Sequence, residues 1–169
     1  MPIKIAQLTD APEMVKLINS AYRGDQSKKG WTTEADIIGG EYRILLPDLE
    51  ALIQKPGVIF LLSVNEEQQT EGSVFLEKRG DQLYLGMLSV NPELQARGTG
   101  KQLMLAAEDQ AREMGCRSII MRVIHLRQEL IDWYLRRGYY DTGMTASYTA
   151  PSYEIVKIPF HFVILQKDL

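Results

Sequence analysis

The sequence predicts a mixed α/β fold. Three observations predict it. Apolar runs between residues 58 and 90 are separated by short polar turns, the pattern of an antiparallel meander. A strand–helix–strand–helix–strand order follows. The two parts are joined by a loop with two glycines that leads directly into a long helical pattern. The 169 residues suit one compact domain, 1–169, and a chain of that length buries about 70% of its unfolded surface.

Ile3–Leu8 reads as a short strand. Thr9-Asp10-Ala11-Pro12-Glu13 supplies a capping residue, an early proline and acidic first-turn residues, and Met14, Leu17, Ile18 and Ala21 continue as one helical face. Gly24–Gly30 is polar and reads as a loop. Thr32-Thr33-Glu34-Ala35-Asp36 reads as a short helix that Gly39-Gly40 ends, and Pro47–Ile53 as another. Val58–Val64 is a buried strand, Glu66–Glu71 a polar turn, and Ser73–Lys78 and Gln82–Val90 two strands about a Gly80-Asp81 turn. After the loop Asn91–Thr99, a helix runs from about Gly100 to Met114. Leu103, Ala107, Ala111 and Met114 line one of its faces, while Lys101, Glu108, Asp109, Arg112 and Glu113 mostly occupy the others. Gly115 ends it, Ser118–Ile124 is a strand, and Gln128–Arg137 is a helix stopped by Gly138. Tyr139–Thr149 and Phe160–Gln166 close the chain as strands.

Composition excludes several classes. With 45% hydrophobic and 24% charged residues, and only 7 Pro and 13 Gly, the chain is neither disordered nor collagen-like. The single cysteine, Cys116, rules out an internal disulfide framework and a cysteine-rich zinc site, and points to a reducing, cytoplasmic setting. Two histidines, 36 positions apart and without ligand-spaced carboxylates, offer no metal site. A net charge of −3 disfavours generic nucleic-acid binding. The apolar runs Val58–Val64 and Phe160–Leu165 are too short to cross a bilayer, so no membrane partner is expected.

The segment that carries chemistry is Leu88-Ser89-Val90-Asn91-Pro92-Glu93-Leu94-Gln95-Ala96-Arg97-Gly98-Thr99-Gly100-Lys101. A strand ends, glycines permit close backbone approach, and a helix begins. The free N–H groups of such a turn converge with the helix dipole on a site suited to a diphosphate. The spacing is neither a Walker A loop nor a full Gly-x-Gly-x-x-Gly fingerprint. A tight strand-to-helix turn without ligand explains the glycines equally well when they are taken alone.

The segment resembles motif A of the GNAT superfamily, the Gcn5-related N-acetyltransferases: Gln95, Gly98 and Gly100 match its Gln/Arg-x-x-Gly-x-Gly/Ala pattern, and Leu88, Val90 and Pro92 match its lead-in. Asp132-Trp133-Tyr134-Leu135-Arg136-Arg137-Gly138-Tyr139 resembles motif B. The likeness runs over nearly the whole chain. It implies a GNAT-like, mostly antiparallel sheet of six to seven strands, with a splayed central parallel pair and about four flanking helices. One departure is visible: where many members carry an Asn, seven residues before the motif B tyrosine, this chain has Arg127.

The resemblance implies an acetyl-CoA-dependent N-acetyltransferase that moves an acetyl group to a primary amine by direct attack in a ternary complex. The acceptor would be a small amine, an amino-acid-like molecule or a peptide amine. The splayed pair, Gln82–Val90 and Ser118–Ile124, would leave backbone groups of Met87–Val90 unpaired for the pantetheine arm. Leu88, Ser89 and Val90 would line that arm, and Gln95, Ala96, Arg97, Gly98, Thr99, Gly100 and Lys101 the diphosphate, with Arg127 as a further phosphate contact. Tyr134 matches the tyrosine that often acts as general acid, and its ordinary pKa of ~10 lies near that of a thiol. Glu34 falls in the variable acceptor segment and is the candidate base, and Trp31, Glu34 and Glu41 are candidates for the acceptor mouth. As plain structure, Tyr134 packs on the sheet and Glu34 answers a helix dipole. His125 is a second titratable candidate, more simply read as structural. A monomer or a homodimer through the C-terminal strands suits the family. Two other readings stand beside the enzyme: a GNAT-like module that holds acyl-CoA without turnover, and an ordinary nucleotide-binding domain.

Overall fold

A computed structural model of the chain describes residues 2–30, 32–94 and 97–169. β1 (Ile3–Ile5) leads through a 3-10 turn (Leu8–Asp10) into α1 (Ala11–Tyr22) and the short α2 (Gly24–Ser27). β2 (Ile38–Gly39), α3 (Leu46–Gln54), β3 (Val58–Val64), β4 (Thr70–Arg79) and β5 (Gln82–Val90) follow. A second 3-10 turn (Pro92–Leu94) precedes α4 (Thr99–Glu113). Then come β6 (Ser118–Ile124), α5 (Gln128–Leu135), β7 (Tyr140–Ala146), β8 (Ile155–Val156) and β9 (Phe162–Asp168).

Seven strands form one sheet in the order β1-β3-β4-β5-β6-β9-β7. Every neighbouring pair is antiparallel except β5 and β6. This is the mixed, mostly antiparallel sheet with a central parallel pair that the sequence implied. Among the described residues it carries five α-helices, the short α2 included, against about four expected.

The alternation of strand side chains divides the core in two. On β3, Leu61 joins a cluster with Leu103, Met104, Ala107 and Ala111 of α4 and Leu130, Ile131 and Tyr134 of α5. Its neighbours Phe60 and Leu62 point the other way, to Met14, Ile18 and Ala21 of α1 and Leu49 of α3. The sheet is thus sandwiched, with α4 and α5 on one face and α1 and α3 on the other.

The parallel pair is short. Gln82, Leu83 and Tyr84 pair with Ser118, Ile119 and Ile120, and there the pairing stops. β5 continues to Val90 alongside β4, and β6 continues to Ile124 alongside β9. The parting coincides with an irregularity in β5. Its register with β4 shifts between Ser73 and Phe75, leaving Met87 and Leu88 out of the ladder. Met87 sits at φ 47, a left-handed conformation that costs a non-glycine residue about 1–2 kcal/mol.

Several boundaries differ from the sequence reading. Residues 32–36 form no helix; a turn over 35–37 leads into β2, which pairs with β8 in a separate two-stranded ribbon. Strands of two residues leave no periodicity to read. Part of Gly24–Gly30 is helical, as α2. Glu108 turns inward rather than outward, because Lys167 of β9 meets its carboxylate there.

Gly72 on β4 sits against the first turn of α4. A Cβ at this position would meet Thr99 Cγ2 at 2.8 Å and Leu103 Cδ1 at 2.9 Å. Gly72→Ala is expected to destabilise the protein by about 1–3 kcal/mol, the usual cost of overpacking. Urea unfolding measures this; an unchanged midpoint would show that α4 is not seated on β4 as described.

Candidate active site

The parting of β5 and β6 opens a cavity through the sheet. Leu85, Gly86, Met87 and Leu88 line one wall and Met121, Arg122, Val123 and Ile124 the other. Tyr22 and Arg23 from the end of α1, Glu34, Arg43, Arg127, Tyr134, Tyr148 and Phe162 complete it.

At one end of the sheet stands the N-terminus of α4. Gly98 takes φ 78 and precedes the helix, and its carbonyl accepts the first helical hydrogen bond from the Gln102 N–H at 3.0 Å. A Cβ on Gly98 would meet nothing within 4 Å, so the glycine serves the backbone angle and not a lack of room. Among the described residues no side chain caps this helix at Gly98, and no acidic residue stands in its first turn. The first turn therefore supplies no carboxylate to answer the helix's positive end, an arrangement that suits an anion. Thr99 and Gly100 are buried, and Arg97 and Lys101 are exposed. Gln95 and Ala96, expected in this turn, lie outside the described residues, as does Trp31.

Leu88, Ser89 and Val90 are buried at the point of parting. Two carbonyls expected to be unpaired have internal donors. The Leu88 carbonyl accepts from the Tyr22 hydroxyl at 2.5 Å, and the Met87 carbonyl accepts from the Ser89 hydroxyl at 2.9 Å.

Tyr134 lies on the buried face of α5, edge-on to Trp133 and Tyr139 with ring centroids 5.2 and 5.9 Å away. Its hydroxyl makes no hydrogen bond among the described residues. Burial pushes the phenol well above its usual value, with Tyr22 adding to the rise and Arg127 opposing it. Burial likewise pushes Tyr22 up to about 12, with Glu34 adding. Both phenols are therefore protonated at neutral pH.

The end of the cavity near α1 is built on a buried cation. Arg23 follows α1 directly, and its side chain and that of Glu154 are each 1% exposed. Its Nη1 meets Glu34 Oε1 at 2.6 Å, and its Nη2 meets Glu154 Oε1 at 2.8 Å. The Tyr148 hydroxyl donates to the other oxygen of Glu154. Burial works against the charge on Arg23, and the two carboxylates outweigh it. The second oxygen of Glu34 faces Arg127 Nη1 at 3.9 Å. Arg127 is thus directed at Glu34 in this structure. Glu41 is exposed and does not line the cavity.

Sequence reasoning missed Tyr22, Arg23, Arg43, Tyr148 and Glu154. Arg23 and Glu154 are 131 positions apart, and no local pattern links them. His125 and His161 also fall elsewhere. Their rings stack at 3.9 Å beside the end of β6, the His161 N–H donates to His125 Nδ1 at 3.1 Å, and neither ring lines the cavity. Cys116 is buried and outside the cavity lining, and burial raises its thiol pKa, away from the thiolate form a nucleophile needs.

The sequence pattern described as the acetyltransferase (GNAT) family matches residues 13–139. No curated protein sequence matches the chain. Among solved structures, an acetyltransferase of the GNAT family from Staphylococcus aureus MU50 superposes with a TM-score of 0.71 at 19% identity, covering 99% of this chain and 98% of that one. PaiA N-acetyltransferase from Thermoplasma acidophilum, in complex with coenzyme A, gives 0.69 at 16% identity over 100% of both chains. The putative acetyltransferase YncA from Salmonella typhimurium, with its cofactor acetyl-CoA, gives 0.73 at 16% identity, covering 100% of this chain and 94% of that one. At these identities the likeness is one of fold.

Removing Glu154 strips Arg23 of one of its two carboxylates in a buried setting. Glu154→Ala is expected to cost about 3–5 kcal/mol of stability, more than an exposed pair could. Denaturant titration decides it, and a loss below about 1 kcal/mol would mean that water reaches Arg23 readily.

Proposed function

The chain belongs to the acetyltransferase (GNAT) family, and from that premise we propose that residues 1–169 form a single N-acetyltransferase domain that uses acetyl-CoA. In this reading the acceptor is a primary amine on a small or amino-acid-like molecule, attacked directly in a ternary complex, and the protein works in the cytoplasm. The observation that carries the reading is the combination of three features: the cavity between β5 and β6, the buried Tyr134 phenol that lines it, and the α4 N-terminus that follows β5, without a side-chain cap among the described residues.

The residues present fit the coenzyme. The N–H groups of Gly98, Thr99, Gly100 and Lys101 would hold its diphosphate, with Arg97 beside them; Gln95 and Ala96 are proposed for the same role on the sequence motif alone. Leu88, Ser89 and Val90 would lie along the pantetheine arm, and Arg127 near it. The coenzyme supplies the acetyl group as a thioester. A backbone N–H at the irregularity of β5, that of Leu88, donates to the thioester oxygen as negative charge develops there. Glu34 receives the proton that the amine loses as its nitrogen bonds to the acetyl carbon. It does so through Oε2, because Arg23 holds Oε1. Tyr134 delivers a proton to sulfur as the carbon–sulfur bond breaks, and recovers one from solvent afterwards. The dehydration that raises its pKa raises the proton affinity of the departing thiolate too, so the transfer is less uphill than the phenol's shift alone implies.

One assay tests the assignment. Tyr134→Phe is expected to keep acetyl-CoA binding, read as a rise in melting temperature larger than ATP or NAD produces, and to lose at least ~10-fold in kcat. Glu34→Gln is expected to lose most at neutral pH and least as the pH approaches the amine's own pKa, where no base is needed. A Tyr134→Phe enzyme with full kcat removes the acid role. Coenzyme binding without thiol release on any amine favours a non-catalytic acyl-CoA module instead.

A further inference from the structure

The charge lining the cavity is lopsided. Arg23, Arg43, Arg122 and Arg127 line it against one carboxylate, Glu34. Arg23 is matched by Glu34 and Glu154, and Arg127 faces Glu34. Arg43 differs. It follows β2 on the segment leading to α3, and its backbone N–H is fixed by Asn19 Oδ1 at 2.6 Å. Among the described residues its half-buried guanidinium makes no ion pair and no side-chain hydrogen bond; its neighbour is the Tyr22 ring, with Cζ 5.8 Å from the centroid. Both oxygens of Glu34 already face guanidinium groups, so the lining holds no uncommitted carboxylate for a second ammonium.

Resting on the acetyltransferase reading, we propose that Arg43 binds a carboxylate of the acceptor, so that the enzyme acetylates a free amino acid and not a polycation or a peptide N-terminus. The Tyr22 ring sets the scale. Its hydroxyl touches the Leu88 carbonyl at 2.5 Å, at the place assigned to the thioester, and its ring lies 5.8 Å from the Arg43 guanidinium carbon. One aromatic ring therefore separates the reacting end from the Arg43 guanidinium, a span suited to an amine and a carboxylate on one small molecule. A planar guanidinium accepts a carboxylate through paired hydrogen bonds, and a partly dehydrated wall strengthens that pairing. A polyamine would instead bring further positive charge to a wall that already has an excess of it.

The test is thiol release from acetyl-CoA with free amino acids, their carboxamides, the corresponding decarboxylated amines and spermidine. The best amino acid is expected to exceed its carboxamide and its amine at least ~30-fold in kcat/KM. Arg43→Gln is expected to shrink that preference at least ~10-fold, through KM for the amino acid and not for acetyl-CoA, and Arg43→Lys to retain part of it. Equal or better turnover of the carboxamide, the amine or spermidine overturns the inference and leaves the acetyltransferase reading standing, as does a preference that survives Arg43→Gln. If Arg43→Gln does not fold, the wild-type preference and Arg43→Lys decide. Thiol release with no amine at all, despite coenzyme binding, overturns both.

Discussion

Two parallel strands that stay bonded for three residue pairs and then part are the constraint on which the rest depends. A sheet that parts at its centre would leave buried backbone groups without partners, which is costly unless something fills the gap. Here the protein fills it in part. The Tyr22 hydroxyl takes the Leu88 carbonyl and the Ser89 hydroxyl takes that of Met87. What is left is a cavity with residues of β5 and β6 on two walls, lined also by Tyr134, Glu34 and Arg43. The strain at Met87 fits this picture, since a left-handed residue in a strand interior persists only where surrounding packing enforces it.

The second organising element is Arg23. A guanidinium with 1% exposure is costly to bury, and two carboxylates from distant parts of the chain surround it. The result is positional. Glu34 and Glu154 both belong to segments with little regular structure, and Arg23 ties them to the rigid end of α1. The same contact holds Oε1 of Glu34 and leaves Oε2 turned towards Arg127 at 3.9 Å. Electrostatics around Glu34 are therefore set by the end of α1 and by the segments that lead into β2 and β8.

Much of this was legible in the sequence because it is local. The apolar run of Val58–Val64, the face of Leu103, Ala107 and Ala111, and the glycines at 98 and 100 each declare themselves within a few residues. Tyr134 came from a short spaced motif. The features that failed are those made at a distance. The β2–β8 ribbon joins two-residue strands more than a hundred positions apart, so residues 32–36 read as a helix on capping chemistry alone. Arg23 looks like any arginine after a helix; only the folded chain shows it buried with Glu154 beside Tyr148. Glu108 reads as a surface charge for the same reason, since its partner Lys167 comes from the last strand. Glu34 was singled out for its place in the acceptor segment, and the structure adds the reason it is held there.

The most direct measurement of the central claim is a crystal structure with coenzyme A bound. The account predicts diphosphate oxygens within about 3.2 Å of the N–H groups of Gly98, Thr99, Gly100 or Lys101, with the pantetheine arm running between β5 and β6 past Leu88. Coenzyme density lying away from the start of α4, or a diphosphate held by side chains alone on another face of the sheet, would contradict it.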